Sequence, residues 1–171
     1  NGMLTVNGAA GTAFTNTALP GAVGGASPTL FPSWDDYDMD PADTVGGGIY
    51  VNTVGTAPNR EFYVEWRATH FSDATTAINT NFAVLLTEGS DVVKYVHVLT
   101  GVGANVDGTS ATTGIQAAST GTQFTQTSFN TAGGTVVGRI RTLTRPAGQC
   151  TPGPGGCNAA PDNPRADFDG D

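Results

Sequence analysis

Between Glu61 and Thr69 apolar and polar side chains alternate: Phe62, Val64 and Trp66 fall on one face of an extended chain, Tyr63, Glu65 and Arg67 on the other. A period of two belongs to a half-buried β-strand and does not suit a helix. The pattern returns at Asn81–Thr87 with Phe82, Val84 and Leu86. Glu88-Gly89-Ser90-Asp91 then turns the chain into Val92–Leu99, which predicts an antiparallel hairpin. Further strand signals are Met3–Val6, Gly48–Val54, Thr112–Gln116, Gln123–Phe129 and Thr135–Leu143. No stretch carries a 3.6-residue period. Gly and Thr number 24 and 26 of the 171 residues, against seven Leu, three Glu and one Lys. The strong helix formers are therefore scarce, which excludes a helical bundle and argues against a doubly wound α/β enzyme. The expected fold is all-β, an antiparallel sandwich of jelly-roll-like or immunoglobulin-like kind, spanning residues 1–143 as one domain.

The texture changes at Thr144. Residues 144–166 hold five of the ten prolines and a Gly-Pro-Gly-Gly run, and read as a stiffened linker. Cys150 and Cys157 lie within it. With no second Cys pair or neighbouring His to complete four metal ligands, they are expected to form a disulfide, which implies an oxidising compartment. Residues 167–171, Asp-Phe-Asp-Gly-Asp, read as the start of a further module. A chain opening on Asn1 reads as a processed or excised piece of something longer. The formal charge of −8 leaves no basic stripe for nucleic acid, and no apolar run reaches the ~18 residues of a membrane span.

Five groupings bear on chemistry. Asp35, Asp36, Asp38, Asp40 and Asp43 place five carboxylates in nine residues. Carboxylates at alternate positions offer oxygens to calcium, but Pro41 and Gly47 stand where an EF-hand needs Gly and Glu. The competing reading is that Trp34 plugs the sandwich and the acids cap a solvated turn. Asp167, Asp169 and Asp171 repeat the alternation, with calcium or a plain acidic tail as the two readings. Calcium is the one cofactor the sequence suggests. For nucleophilic catalysis the only bases are His70 and His97, with no nucleophile elbow or metalloprotease motif beside them, so no enzyme activity is expected. Glu65 and Glu88 are the carboxylates a glycosidase would need, and Glu65 points away from the core. Trp34, Tyr37 and Tyr63 are candidates for stacking on a sugar ring, packed sandwich aromatics being the alternative.

Several phrases occur in a characteristic order: Asn1-Gly2-Met3-Leu4-Thr5-Val6, Asn16-Thr17-Ala18-Leu19-Pro20, Phe31-Pro32-Ser33-Trp34-Asp35-Asp36, the run from Ile49 to Arg60, Phe62-Tyr63-Val64-Glu65-Trp66 and Thr113-Gly114-Ile115-Gln116. Over residues 1–142 the chain resembles a β-sandwich module of large secreted and surface proteins of bacteria, distantly similar to the nidogen-type extracellular domain. The resemblance implies an extracellular, non-catalytic module. It also implies one or two strands ahead of the Asn-Gly phrase, so a strand is expected to be missing here. The final acidic run resembles the calcium repeats that follow such modules. The expected function is a secreted structural or adhesive unit that self-associates, or joins other matrix components, into filaments by strand donation. The alternative is a monomeric glycan- or protein-binding accessory of a secreted hydrolase.

Overall fold

The computed structural model describes residues 1–6, 11–73, 75–101 and 105–144. The expectations on Cys150, Cys157, Asp167, Asp169, Asp171 and the tail beyond Thr144 lie outside these residues. Ten strands are described: β1 (Leu4–Thr5), β2 (Thr29–Trp34), β3 (Tyr37–Asp38), β4 (Gly48–Val54), β5 (Glu61–His70), β6 (Thr80–Thr87), β7 (Val93–Thr100), β8 (Thr112–Gln116), β9 (Phe124–Phe129) and β10 (Ile140–Leu143). All pair antiparallel, in a four-stranded sheet of order β1-β2-β8-β9 and a six-stranded sheet β10-β7-β6-β5, in which β3 and β4 share the free side of β5. The fold is the all-β sandwich that the alternating patterns demand, with no helix among the described residues, and so none long and apolar enough to cross a membrane.

The central strands follow the sequence closely. Phe62, Val64 and Trp66 share one face of β5, with Phe82 and Val84 of β6 opposite Trp66 and Val64. Trp66 and Phe82 stack at 5.4 Å between ring centroids. With Leu30, Ala68, Val93 and Tyr95 they form the core between the sheets. Complete burial of such side chains stabilises by about 1.5–3 kcal/mol each. Tyr95 joins the layers: its hydroxyl donates to the Gly114 carbonyl at 2.6 Å and accepts from the Phe31 amide at 3.2 Å. These bonds fall where the β2–β8 ladder shifts register, so a side chain from the opposite sheet satisfies backbone groups at the irregularity.

β2 departs from the expected pattern. All six of its residues are buried and it contains Pro32, so it shows no alternation. Its inner face meets the core through Leu30, while Phe31 and Trp34 pack outward against Leu19 and Val23 of the preceding coil. A strand covered on both sides loses the period-two signal. At the other end, only Ile140–Leu143 of the expected Thr135–Leu143 strand pairs with β7. Gly2 explains the opening Asn-Gly phrase. At φ +61° an added Cβ would stand 1.7 Å from the Ser33 carbonyl oxygen, so no other residue fits between β1 and β2.

Candidate functional site

The two layers are unequal in width, and among the described residues this leaves part of the wider sheet uncovered. Tyr95 of β7 bonds to β2 and β8, and the ring Nε2 of His97, also on β7, lies 3.1 Å from the Pro32 carbonyl. Gly2, just ahead of β1, sits against Phe82 of β6. At the far side Arg141 of β10 donates to the Gly134 carbonyl, in the loop after β9. The narrower sheet therefore lies over β10, β7 and β6, and its β1 edge ends before β4. Residues paired across an antiparallel ladder share a face. Ile49 pairs with Trp66, Val51 with Val64 and Thr53 with Phe62, so all face the core side. Trp66 and Val64 are 1% and 4% exposed, whereas Ile49 and Val51 are 57% and 65% exposed. β4 and Phe62 thus form an apolar ledge that continues the core beyond its cover.

On the outer face the charged groups pair among themselves. Arg67 and Glu65 form a two-bond ion pair, Asn81 donates to Glu65 at 2.8 Å, and the Arg67 guanidinium lies 4.5 Å from the Tyr50 ring centroid. Burial pushes the Glu65 carboxyl up, but these bonds outweigh it and hold the group below its ordinary value. From Val45 to Asn59 there is no charged residue. Seven consecutive β4–β5 pairs run without a bulge, and β4 pairs with no other strand among the described residues. Proteins usually protect such an edge with charge, proline or a bulge. Within β4 none of these is present.

At one end of the sandwich is a buried polar cluster. Asp35, just after β2, accepts from the Ser110 hydroxyl at 2.6 Å, and its Oδ2 lies 3.2 Å from His70 Nε2 at the end of β5. His70 Nδ1 faces the Ser72 hydroxyl at 2.8 Å and receives the Ser72 amide. Asn105 donates to the Ser72 oxygen, and Asn79, which accepts from the His70 amide, donates to Asp73. Burial pushes His70 down, but Asp35 through its hydrogen bond and charge, helped by Asp73 and Asp36, raises it above its ordinary value. Serine, imidazole and carboxylate do meet here. Asp35 and Ser110 both crowd the same ring nitrogen, however, and Ser72 is held to the other by its own backbone, two residues from His70. The cluster ties the loop before β8 to both sheets, which is a structural use for each member.

The acidic stretch takes two directions. Asp35 turns inward to His70 and Ser110. Asp38 and Asp40 turn outward and accept the amides of Asp40 and Ala42, each at 2.9 Å. The Asp40 carbonyl accepts from Asp43 and Thr44. Among the described residues no three His, Cys, Asp or Glu side chains gather closely enough to hold a metal ion. Trp34 is 1% exposed, with its indole N–H on the Ala13 carbonyl, and Tyr37 is buried against Ser33. Neither offers a ring face to a sugar. Tyr63 is half-buried and donates to Glu61. Glu88 is held by Arg60 in a two-bond pair. His97 is buried between the sheets. Sequence reasoning placed β4 correctly but gave no sign of its uncovered face, which depends on the width of the opposite sheet.

Fold and surface define the class: a two-layer antiparallel sandwich module with, among the described residues, an uncovered sheet edge at β4. The chain belongs to the NIDO-related family, whose model matches residues 1–150. That family is extracellular and non-enzymatic in type, in keeping with the nidogen-like resemblance of the sequence. No curated protein and no solved structure matches the chain.

Proposed function

We propose that this chain is a non-catalytic structural or adhesive unit that assembles with neighbouring copies in the extracellular space by pairing strands. The observation that carries the reading is β4: a seven-residue, uncharged, unbulged edge strand whose Ile49 and Val51 stand exposed. Exposed main-chain donors and acceptors along such an edge template the addition of another strand, and apolar side chains beside them supply the affinity. The competing reading is a monomeric glycan- or protein-binding accessory; its glycan version needs an open aromatic platform, and Trp34 and Tyr37 are packed inside.

Size-exclusion chromatography with light scattering tests this. A native mass at multiples of 17.4 kDa, rising with concentration, is the expected result. A monomer at every concentration overturns it. Deleting residues 145–171 separates two versions of assembly: association persists if β4 carries the contact and vanishes if the tail is the connector.

A further inference from the structure

We infer that two copies of this chain interlock, the β4 strand of each filling the place beside β1 in the narrower sheet of the other. The inference deepens the self-assembly reading above and rests on it. It starts from what the ledge lacks. Ile49, Val51 and Phe62 continue the apolar face formed by Val64 and Trp66, and in a sandwich such a face is covered by a strand about 10 Å above it. That strand would lie beside β1, which ends the opposite sheet and pairs with β2 alone among the described strands. The covering element must therefore be extended, apolar on the side that faces down, and free on the edge that meets β1.

β4 itself meets each requirement. It is extended over seven residues, its Ile49 and Val51 point to the core side, and its edge away from β5 pairs with no strand among the described residues. A two-fold axis along the seam, midway between the layers, carries the wide sheet of one copy into the plane of the narrow sheet of the other. β4 of each copy then continues the partner's sheet beyond β1, and the two ledges cover each other. An isologous contact demands such self-complementarity: one surface must be both the hole and the filling. Each copy would contribute two unpaired edges and one apolar face, and all are used. Charge permits the approach. Two chains of net charge −8 repel, but the strip from Val45 to Asn59 that meets at the seam holds no charged residue.

The test is hydrogen–deuterium exchange of the full chain from dilute to concentrated solution, read beside native mass and repeated on Val51→Lys. Val51 is 65% exposed, so the lysine is tolerated in the monomer and is placed at the seam only in the assembly. The interlock predicts a dimer at twice 17.4 kDa. It also predicts that amide protection at residues 48–54 and at residues 4 and 5 rises together, by at least about tenfold, and that Val51→Lys abolishes both changes. Protection of β4 with β1 unchanged overturns the interlock in favour of edge-to-edge pairing of two β4 strands, which leaves the assembly reading standing. An oligomer protected elsewhere, or insensitive to Val51→Lys, overturns the inference and the role of β4. A monomer throughout overturns both inference and function.

Discussion

Tyr95 and His97, neighbours on the inner face of β7, show how single polar atoms hold the layers together. The Tyr95 hydroxyl satisfies two backbone groups in the opposite sheet, and burial drives its ionisation well above the ordinary tyrosine range. Tyr95→Phe keeps the ring and leaves the Phe31 amide and Gly114 carbonyl unpaired, so it is expected to cost about 1–3 kcal/mol. Urea unfolding at fixed pH checks this, and an unchanged midpoint would mean those groups find other partners. His97 works differently. Burial pushes it down to about 4 from 6.5, despite its bond to the Pro32 carbonyl. Its folded value is depressed, so the unfolded chain takes the proton first. Stability is full above pH 6.5 and is lost as pH falls from 6.5 toward 4, by up to about 3 kcal/mol. His70 has the opposite sign: with its value raised, its contribution is full below 6.5 and is lost as pH rises through the folded value. The expected difference curve between wild type and His97→Gln is flat above pH 6.5 and closes below it. None of these partnerships was legible in the sequence. Asp35, His70 and Ser110 meet across separations of 35 and 40 residues, and only the folded sheets set that distance.

At the scale of elements, legibility tracked how many sides of a strand are covered. β5 alternates because one face meets the core and the other carries Tyr63, Glu65 and Arg67; β6 keeps the apolar face of Phe82, Val84 and Leu86, although Ala83 and Leu85 on its other face are buried as well, and the bounds of both strands are legible to within a residue. β8 and β4 were read to the residue. β2, buried on both sides, has no period to read, and its phrase Phe31-Pro32-Ser33-Trp34 carries no strand signal in the sequence. The pattern of β4, Gly-Ile-Tyr-Val-Asn-Thr-Val, looks like any half-buried strand, yet among the described residues no strand of the opposite layer covers its apolar face. Two phenylalanines isolate that difference. Phe62 and Phe82 both face the core side, Phe82 fully buried and Phe62 38% exposed at the ledge. Phe82→Ala opens a cavity beneath Trp66 and Tyr37 and is expected to cost about 3–5 kcal/mol. Phe62→Ala in dilute solution should cost about 1 kcal/mol or less, since much of that surface is already wet. Thermal unfolding of the two variants side by side tests the comparison. Equal losses would show the ledge to be covered within the monomer.

For the whole molecule the informative quantity is where the charge is not. Fifteen carboxylates face seven basic side chains, and the clearest cationic partners are spent locally, Arg60 on Glu88 and Arg67 on Glu65. Such a chain is kept apart from its copies by long-range repulsion, which favours solubility and slows encounter. The ledge adds a neutral, apolar strip to this acidic body. Association through it gains hydrophobic burial and main-chain hydrogen bonds, neither of which salt weakens, and pays repulsion, which salt screens. The Debye length shortens from about 14 Å at 0.05 M to roughly 4 Å at 0.5 M salt. Raising sodium chloride over that range should therefore tighten self-association, by about three- to tenfold in apparent dissociation constant. An assembly built on ion pairs between copies would loosen over the same range, because screening removes its attraction first. Sedimentation equilibrium at a series of salt concentrations separates the two, with Val51→Lys as the control. That variant puts a charge into the apolar seam, where it must be desolvated, so any association it retains should be weaker than that of the parent at every salt concentration.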